Sequence, residues 1–469
     1  MKTKLFSIAL CIVFGISGAG AQSGSGHGGL VITNVDIIDG TGSPVQRGRE
    51  VLIQDGRIAG IAKSGKLKIP QGVRALDAKG KFLIPGLWDM HTHTIFGDWI
   101  PGGKEVALPL FVANGITGIR DMGGDLDTLL QWRAAIAEGS LLGPRMVIAG
   151  PMLDGPKSRF PSSLSISSPE EGRKAVDDLK AKGVDFIKVQ SFIQRDPYFA
   201  VVEEARKQGI TLVGHVPDAI RASEASNAGQ KSIEHLTGIF EGCSNAEDQF
   251  LQGKKGPKLY LDAFDEAHCA GLIALMAKNH TWLVPTLVWE RGQWLIDDID
   301  YSHDPLLRYA PVSWRKKSWP SFTKGILAEL DTDDVSYRRR FVQKEFDVVG
   351  AMHKAGVQIL AGTDTAAAVD VLPGSSLHTE LEYLARAGLT PMEALQTATL
   401  NPAIFLGLKD QLGTVEQGKI ANLVLLEANP LLNIRNTRRI EAVILNGRLL
   451  DHAELAGLLR GVAEFAATH

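Results

Sequence analysis

Six side chains in this 469-residue chain have types and settings that suit one task, holding divalent cations: His91, His93, Lys188, His215, His235 and Asp364. His91 and His93 end the apolar run LIPGLWDMHTH with one residue between them. On a strand, residues i and i+2 project to the same face, so both imidazoles can approach one cation through a ring nitrogen. His215 closes ITLVGHV, His235 lies in KSIEHLTG, and Asp364 closes VQILAGTD. Each has a plainer reading taken singly: a histidine at a strand end, or an aspartate capping the next turn. Lys188 lies in Phe186-Ile187-Lys188-Val189, where a bare ammonium loses hydration unless it is paired or chemically altered. One reading lets it reach the rim or pair with Asp185 or Asp364. The other makes it a low-pKa amine that takes up carbon dioxide, giving a carbamate whose two oxygens bridge two cations. His91 and His93 would then serve the first cation and His215 and His235 the second. Asp364, preceded by Gly362-Thr363, can ligate the first metal and accept a proton from attacking water.

These residues need a scaffold that brings distant segments to one level. Between residues 85 and 411, short apolar runs alternate with helix-like stretches, giving eight candidate strands: LIPGLWDMHTH, GITGIRDMG, PRMVIAGP, VDFIKVQ, ITLVGHV, KSIEHLTG, TWLVPTLV and VQILAGTD. Eight strand-helix units predict an α/β chain folded as a (β/α)8 TIM barrel, whose functional residues sit at the C-terminal ends of strands. Five of the eight runs carry a His, Lys or Asp at that level, and hydrophobic packing gives no reason for it. A doubly wound sheet fits less well, since no G-x-G-x-x-G follows the first strand. Pro169 to Lys182 and Thr390-Pro-Met-Glu carry helix-start signals.

The flanks read differently. Residues 29–84 and 412–455 are strand-rich with Asp-Gly and Asn-Gly turns, which predicts a composite β-sandwich domain built from both ends of the chain. Residues 456–469 are expected as a helix or tail. Residues 1–21 have two lysines, an apolar run and Ala19-Gly20-Ala21, the pattern of a cleaved secretory signal, followed by a flexible leader at 22–28. The expectation is export to a periplasmic or extracellular space, with no spanning segment afterwards. Removing Lys2 and Lys4 takes the net charge from −3 to −5, a mild balance that excludes nucleic acid as the partner. Cys243 and Cys269 remain, with a disulfide and two free thiols both open.

Taken together, LIPGLWDMHTH, IKVQ, VGHVP, SIEHL, LAGTDT, SLHTELEYLARAGLTPMEALQTATLNPA and GTVEQGKIANLVLLEANPL resemble the amidohydrolase superfamily. The likeness is to its binuclear-metal members in the branch of imidazolonepropionase-like and Xaa-Pro dipeptidase-like proteins. It implies His91, His93 and Asp364 on the more buried metal, His215 and His235 on the more exposed one, and an N6-carboxylated Lys188 bridging two divalent ions, with zinc expected. It also implies an exported metal-dependent hydrolase in which a metal-bridging hydroxide attacks an amide carbonyl, with Asp364 carrying the proton to the leaving nitrogen. Pro217 stands where dipeptidase-like members often have a second histidine, and Asn422 where an aspartate is usual.

The expected substrate is a small amide or peptide, a dipeptide or an N-acyl amino acid. Alternatives are a cyclic amide or lactone cleaved by the same centre, and a binding protein without catalysis. Residues 289–350, between the seventh and eighth runs, form a long excursion holding Trp289, Trp294, Trp314 and Trp319. It can be a lid over an apolar pocket, an added helical pair, or a contact in a homo-oligomer. Candidate substrate contacts are Trp289, Tyr301 and Arg308 in the excursion and His378 in SSLHTEL.

Overall fold

The computed structural model describes residues 29–95, 102–158, 160, 162–253, 255–330, 335–366 and 369–469. The signal expected at 1–21 and the leader at 22–28 lie outside the described residues. Among those described, no helix is long and apolar enough to cross a membrane.

The strand-rich flanks form one mixed eight-stranded sheet. Leu30–Ile37 pairs with Gln46–Gln54 on one side and with Arg74–Asp77 and Phe82–Pro85 on the other. The C-terminal strand Leu423–Leu426 then pairs with Phe82–Pro85, and Ile440–Leu445 and Arg448–Leu450 extend the sheet. The Asp55-Gly56 and Asn446-Gly447 turns each place two successive residues at positive φ, the backbone of a tight hairpin. The expected sandwich is therefore a single sheet, because an eight-residue first strand is long enough to serve several partners. It curls, bringing Arg57 against Ile420. Period-two alternation divides its strands between two cores: Leu423 and Leu425 face the sheet's own core, while Val424 and Leu426 face the core of the parallel-strand region. Asn422 accepts a hydrogen bond from the Asn446 amide, 2.6 Å, and so stays a local turn device.

The α/β region has parallel strands in chain order. Leu87–Thr92 pairs with Ile116–Asp121, which pairs with Arg145–Ile148. The Asp185 amide bonds to the Ile148 carbonyl, leading to Phe186–Val189, Thr211–Gly214, Ser232–Glu234 and Trp282–Val284, each parallel to the next. Leu283 bridges Ile359, and Thr365 bridges Thr92, so the succession returns to its first strand. The eighth run is thus held by bridges at its two ends instead of a continuous ladder. Helices cover these strands, and their starts follow the sequence signals: Ser168 caps Pro169–Ala181, and Thr390 with Glu393 forms a capping box on Pro391–Thr397.

The excursion contains helices Leu287–Trp294, Trp319–Glu329 and Val335–Lys354. Cys243 and Cys269 are joined in a disulfide between the end of helix Ile239–Gly242 and helix Glu266–Lys278. The final helix is His452–Thr468, four residues earlier than the expected boundary at 456, because Asp451 caps it through the amides of Ala453 and Glu454. The residue that follows it, His469, accepts a backbone hydrogen bond from Ser313 in the excursion, 2.9 Å.

Candidate metal centre

The ends of the parallel strands bring His91, His93, Lys188, His215, His235 and Asp364 to one cavity. Lys188 is 1% exposed, His91 1%, and Asp364 5%. The ring centroids of His91 and His235 are 4.7 Å apart, those of His215 and His235 4.9 Å, and those of His91 and His93 5.6 Å. Asp364 Oδ1 lies 3.4 Å from His91 Nε2 and 3.2 Å from His93 Nε2, and its Oδ2 is 3.8 Å from His235 Nε2.

Each imidazole is held from behind through Nδ1. His91 meets Glu234 at 2.9 Å, His93 the Gly123 carbonyl at 2.8 Å, His215 Ser191 Oγ at 2.8 Å and His235 Thr286 Oγ1 at 2.6 Å. A carbonyl or carboxylate only accepts, so Nδ1 carries the proton in His91 and His93, and the Nε2 lone pair turns toward the centre. Burial pushes the pKa of His91 and His215 well below the usual histidine value and that of His235 down to about 3. All three are therefore neutral at physiological pH. Burial also lowers Lys188 to about 8, where part of it is the free amine a carbamate requires.

Asp364 reaches the centre because the chain turns hard just before it. A Cβ on Gly362 would stand 2.6 Å from Val284 Cγ1 and 2.8 Å from His91 Cβ, so only glycine lets the segment lie against the first strand. Asp364 takes φ 56, and Asp89 ties the turn down by accepting from the Thr363 amide at 3.1 Å and its hydroxyl at 2.7 Å. Asp364 Oδ1 is buried and accepts no hydrogen bond. A carboxylate oxygen left unpaired among imidazole nitrogens costs free energy unless a cation sits there. His91, His93 and Asp364 present ligand atoms all within 4.8 Å of one another, the donor set of a divalent ion.

Residues behind the ligands are largely those the strand-end argument passes over. Arg120 donates through Nη2 to both oxygens of Glu234, 2.8 Å each, and through Nε to the Met90 carbonyl, 2.6 Å. It thereby fixes the carboxylate that fixes His91. Charged residues inside otherwise apolar runs, Asp89 in LWDM, Arg120 in GIRDM and Glu234 in SIEH, were the available signal.

Four substrate contacts were expected, and the structure separates them. Trp289 lines the cavity with its ring 4.7 Å from that of His235. The other three are corrections. His378 is fully buried elsewhere, bonding Thr437 Oγ1 at 3.0 Å through Nδ1 and the Asn114 carbonyl at 3.1 Å through Nε2. Its helix turns that face toward Thr437 and Asn114, and His378 does not line the main cavity. Arg308 lines a separate cavity of about 210 Å³ with Leu110, Asn114 and Tyr309. Tyr301 does not line the main cavity either, its hydroxyl lying near Gly292. The excursion as a whole does reach the site: Trp314, Trp319, Phe322 and Ile326 roof a cavity of about 950 Å³. Beneath them, Glu290 and Glu345 both accept from Trp294 Nε1, at 3.1 and 3.0 Å. Burial raises both carboxyls, Glu290 to about 8, so the pair retains a proton.

Residues 82–450 match the profile of the Amidohydrolase family. The chain belongs to that family. This amidohydrolase is 25% identical over 466 residues to the ochratoxinase of Aspergillus niger, covering 87% of this chain and 83% of the relative. Among solved structures, bottromycin amidohydrolase superposes with a TM-score of 0.72 at 25% identity, covering 93% of this chain and 90% of the other. A Xaa-Pro dipeptidase with methionine bound in its active site superposes at 0.67 and 22% identity, covering 90% and 100%, and shares the fold. The amidohydrolase is accordingly a hydrolase of carbon–nitrogen bonds.

Proposed function

We propose that this protein is an exported, metal-dependent amidohydrolase that cleaves the amide bond of a dipeptide or an N-acyl amino acid. One observation carries the reading: three buried imidazoles and the half-buried His215, all engaged through Nδ1, line one cavity with a buried lysine and a carboxylate oxygen that accepts no hydrogen bond. In this reading the eight parallel segments close a (β/α)8 barrel. His91, His93 and Asp364 hold one divalent ion and His215 and His235 a second, with carboxylated Lys188 between them; zinc suits imidazole-rich sites. When bound, such ions polarise a carbonyl and bring the pKa of water down to about 7.

The chain's own residues supply the rest. Asp364 accepts the proton of the attacking water and returns it to the leaving nitrogen. Arg120 and Glu234 hold His91 in the Nδ1–H tautomer throughout. The aromatic roof excludes solvent and accommodates apolar substituents on either side of the amide. Similarity to an ochratoxinase and to a bottromycin amidohydrolase supports an amide or peptide substrate. The test is metal analysis of purified protein with and without added bicarbonate, followed by a screen of dipeptides, N-acyl amino acids, cyclic amides and lactones. Two ions per chain and turnover of linear amides are expected; less than about one ion under both conditions overturns the binuclear centre.

A further inference from the structure

Among the described residues, four buried polar atoms on the cavity wall lack a hydrogen-bond partner: Asp364 Oδ1, Glu345 Oε2, Gln190 Oε1 and Trp289 Nε1. Asp364 Oδ1 belongs to the metal centre. Glu345 lies against Glu290, and the proton those carboxyls share accounts for its oxygen. Gln190 and Trp289 have no such explanation. Leaving either buried atom without a partner is costly, so each points to a group that arrives from outside the chain.

The two atoms are complementary. Gln190 follows Lys188 by two residues at the end of Phe186–Val189, so its side chain leaves the backbone on the lysine's side. Its amide nitrogen is 3.9 Å from Met152 Sδ, a weak acceptor that offers nothing to a carbonyl, and this leaves Oε1 as the unused acceptor of a side chain on the cavity wall. The Trp289 ring packs on that of His235 and carries an N–H that can only donate. An acceptor beside Lys188 and a donor beside His235 match the N–H and C=O of one secondary amide.

We infer that Gln190 and Trp289 form the amide-recognition pair of this site: Gln190 Oε1 accepts the substrate N–H while Trp289 Nε1 donates to its carbonyl oxygen. The inference rests on the proposed amide hydrolysis and deepens it, because a lactone or ester has no N–H to satisfy Gln190. A site built to bond a donor rejects the analogue that lacks it more strongly than shape alone could.

The experiment measures binding of hippuryl-phenylalanine and hippuryl-phenyllactate, which differ only in N–H against O at the bond concerned, by calorimetry in the presence of a chelator that prevents turnover. The wild-type chain should bind the amide about five- to tenfold more tightly than the ester. Gln190→Met, close in size but without an acceptor, should remove that preference and leave ester affinity unchanged. Trp289→Phe, which keeps the ring against His235, should weaken both compounds about equally, because both carry the carbonyl. Equal wild-type binding of the two compounds, no binding of either, or a preference that survives Gln190→Met overturns the assignment of Gln190. Unchanged affinities in Trp289→Phe overturn that of Trp289. Adding back zinc then separates the two ideas: a preference in binding without turnover of either compound overturns the hydrolase reading and leaves the recognition pair standing.

Discussion

His378 and the four histidines of the candidate metal centre are alike in type, and all but the half-buried His215 are buried, yet they are opposites chemically. His378 spends both ring nitrogens, one on Thr437 and one on a backbone carbonyl. His91, His93, His215 and His235 are each braced through Nδ1, from four different partners, and the Nε2 atoms of His91, His93 and His235 lie within 3.8 Å of the Asp364 carboxylate. A buried imidazole with both nitrogens bonded is a strut between a helix and a loop. One braced on a single side is preorganised to coordinate, because its tautomer and ring plane are set before any ion arrives. Burial and residue type therefore do not mark a ligand, whereas the hydrogen-bond partner of the far nitrogen does.

Substitutions can break or sharpen that contrast. The largest effect is expected for Asp364→Asn, which keeps the shape but removes the proton acceptor: kcat should fall about a thousandfold while part of the metal is retained, and full activity would refute the proton-transfer role. Lys188→Met should follow, with metal content by elemental analysis dropping from about two ions per chain to one or fewer, since no bridging carbamate can form; unchanged content would show that the lysine is not a ligand. Glu234→Gln leaves every ligand in place and disturbs only the brace behind His91 and its tie to Arg120. A loss of about 10- to 100-fold in activity or metal affinity is expected, and an unaltered enzyme would mean that the brace is dispensable.

The smallest effect on activity, and the sharpest contrast, is expected for His378→Asn. Burial lowers the native pKa of His378 to about 3, while the unfolded chain protonates it near 6.5. The unfolded state then binds more protons between those values. The stability that His378 confers is thus complete above pH 6.5 and is lost as pH falls toward 3, at about 1.4 kcal/mol per pH unit for this one group. Thermal unfolding of chelated protein should show a smaller loss from pH 7 to pH 5 in the variant than in the wild type, with kcat of the metal-loaded variant within about twofold at pH 7. Equal pH dependence, or loss of turnover, would return His378 to the site.

The contrast also shows where reading the chain stopped. Strand-end position is a local property, so His91, His93, His215, His235, Lys188 and Asp364 could be picked out from run boundaries and periodicity. His378 followed the same logic, standing near the start of a helix after the eighth run, and it failed because helix phase decides which way that side chain turns. Tyr301 and Arg308 failed for a related reason: an excursion with its own packing places side chains by contacts that no periodicity encodes. The braces were missed because Arg120 and Glu234 come from two strands over a hundred residues apart, and only folding makes them neighbours.

By itself the sequence determined the alternation of strands and helices, the Asp-Gly and Asn-Gly hairpins, the helix caps and the inventory of possible ligands. All of these depend on interactions within a few residues, which spacing and residue type express directly. Only the tertiary structure decided that the domain made from the two flanks is one continuous sheet and not a sandwich, that the excursion reaches the cavity, and which nitrogen of each histidine is available. These are settled by hydrogen bonds and contacts between distant segments, formed once the hydrophobic faces have found their partners.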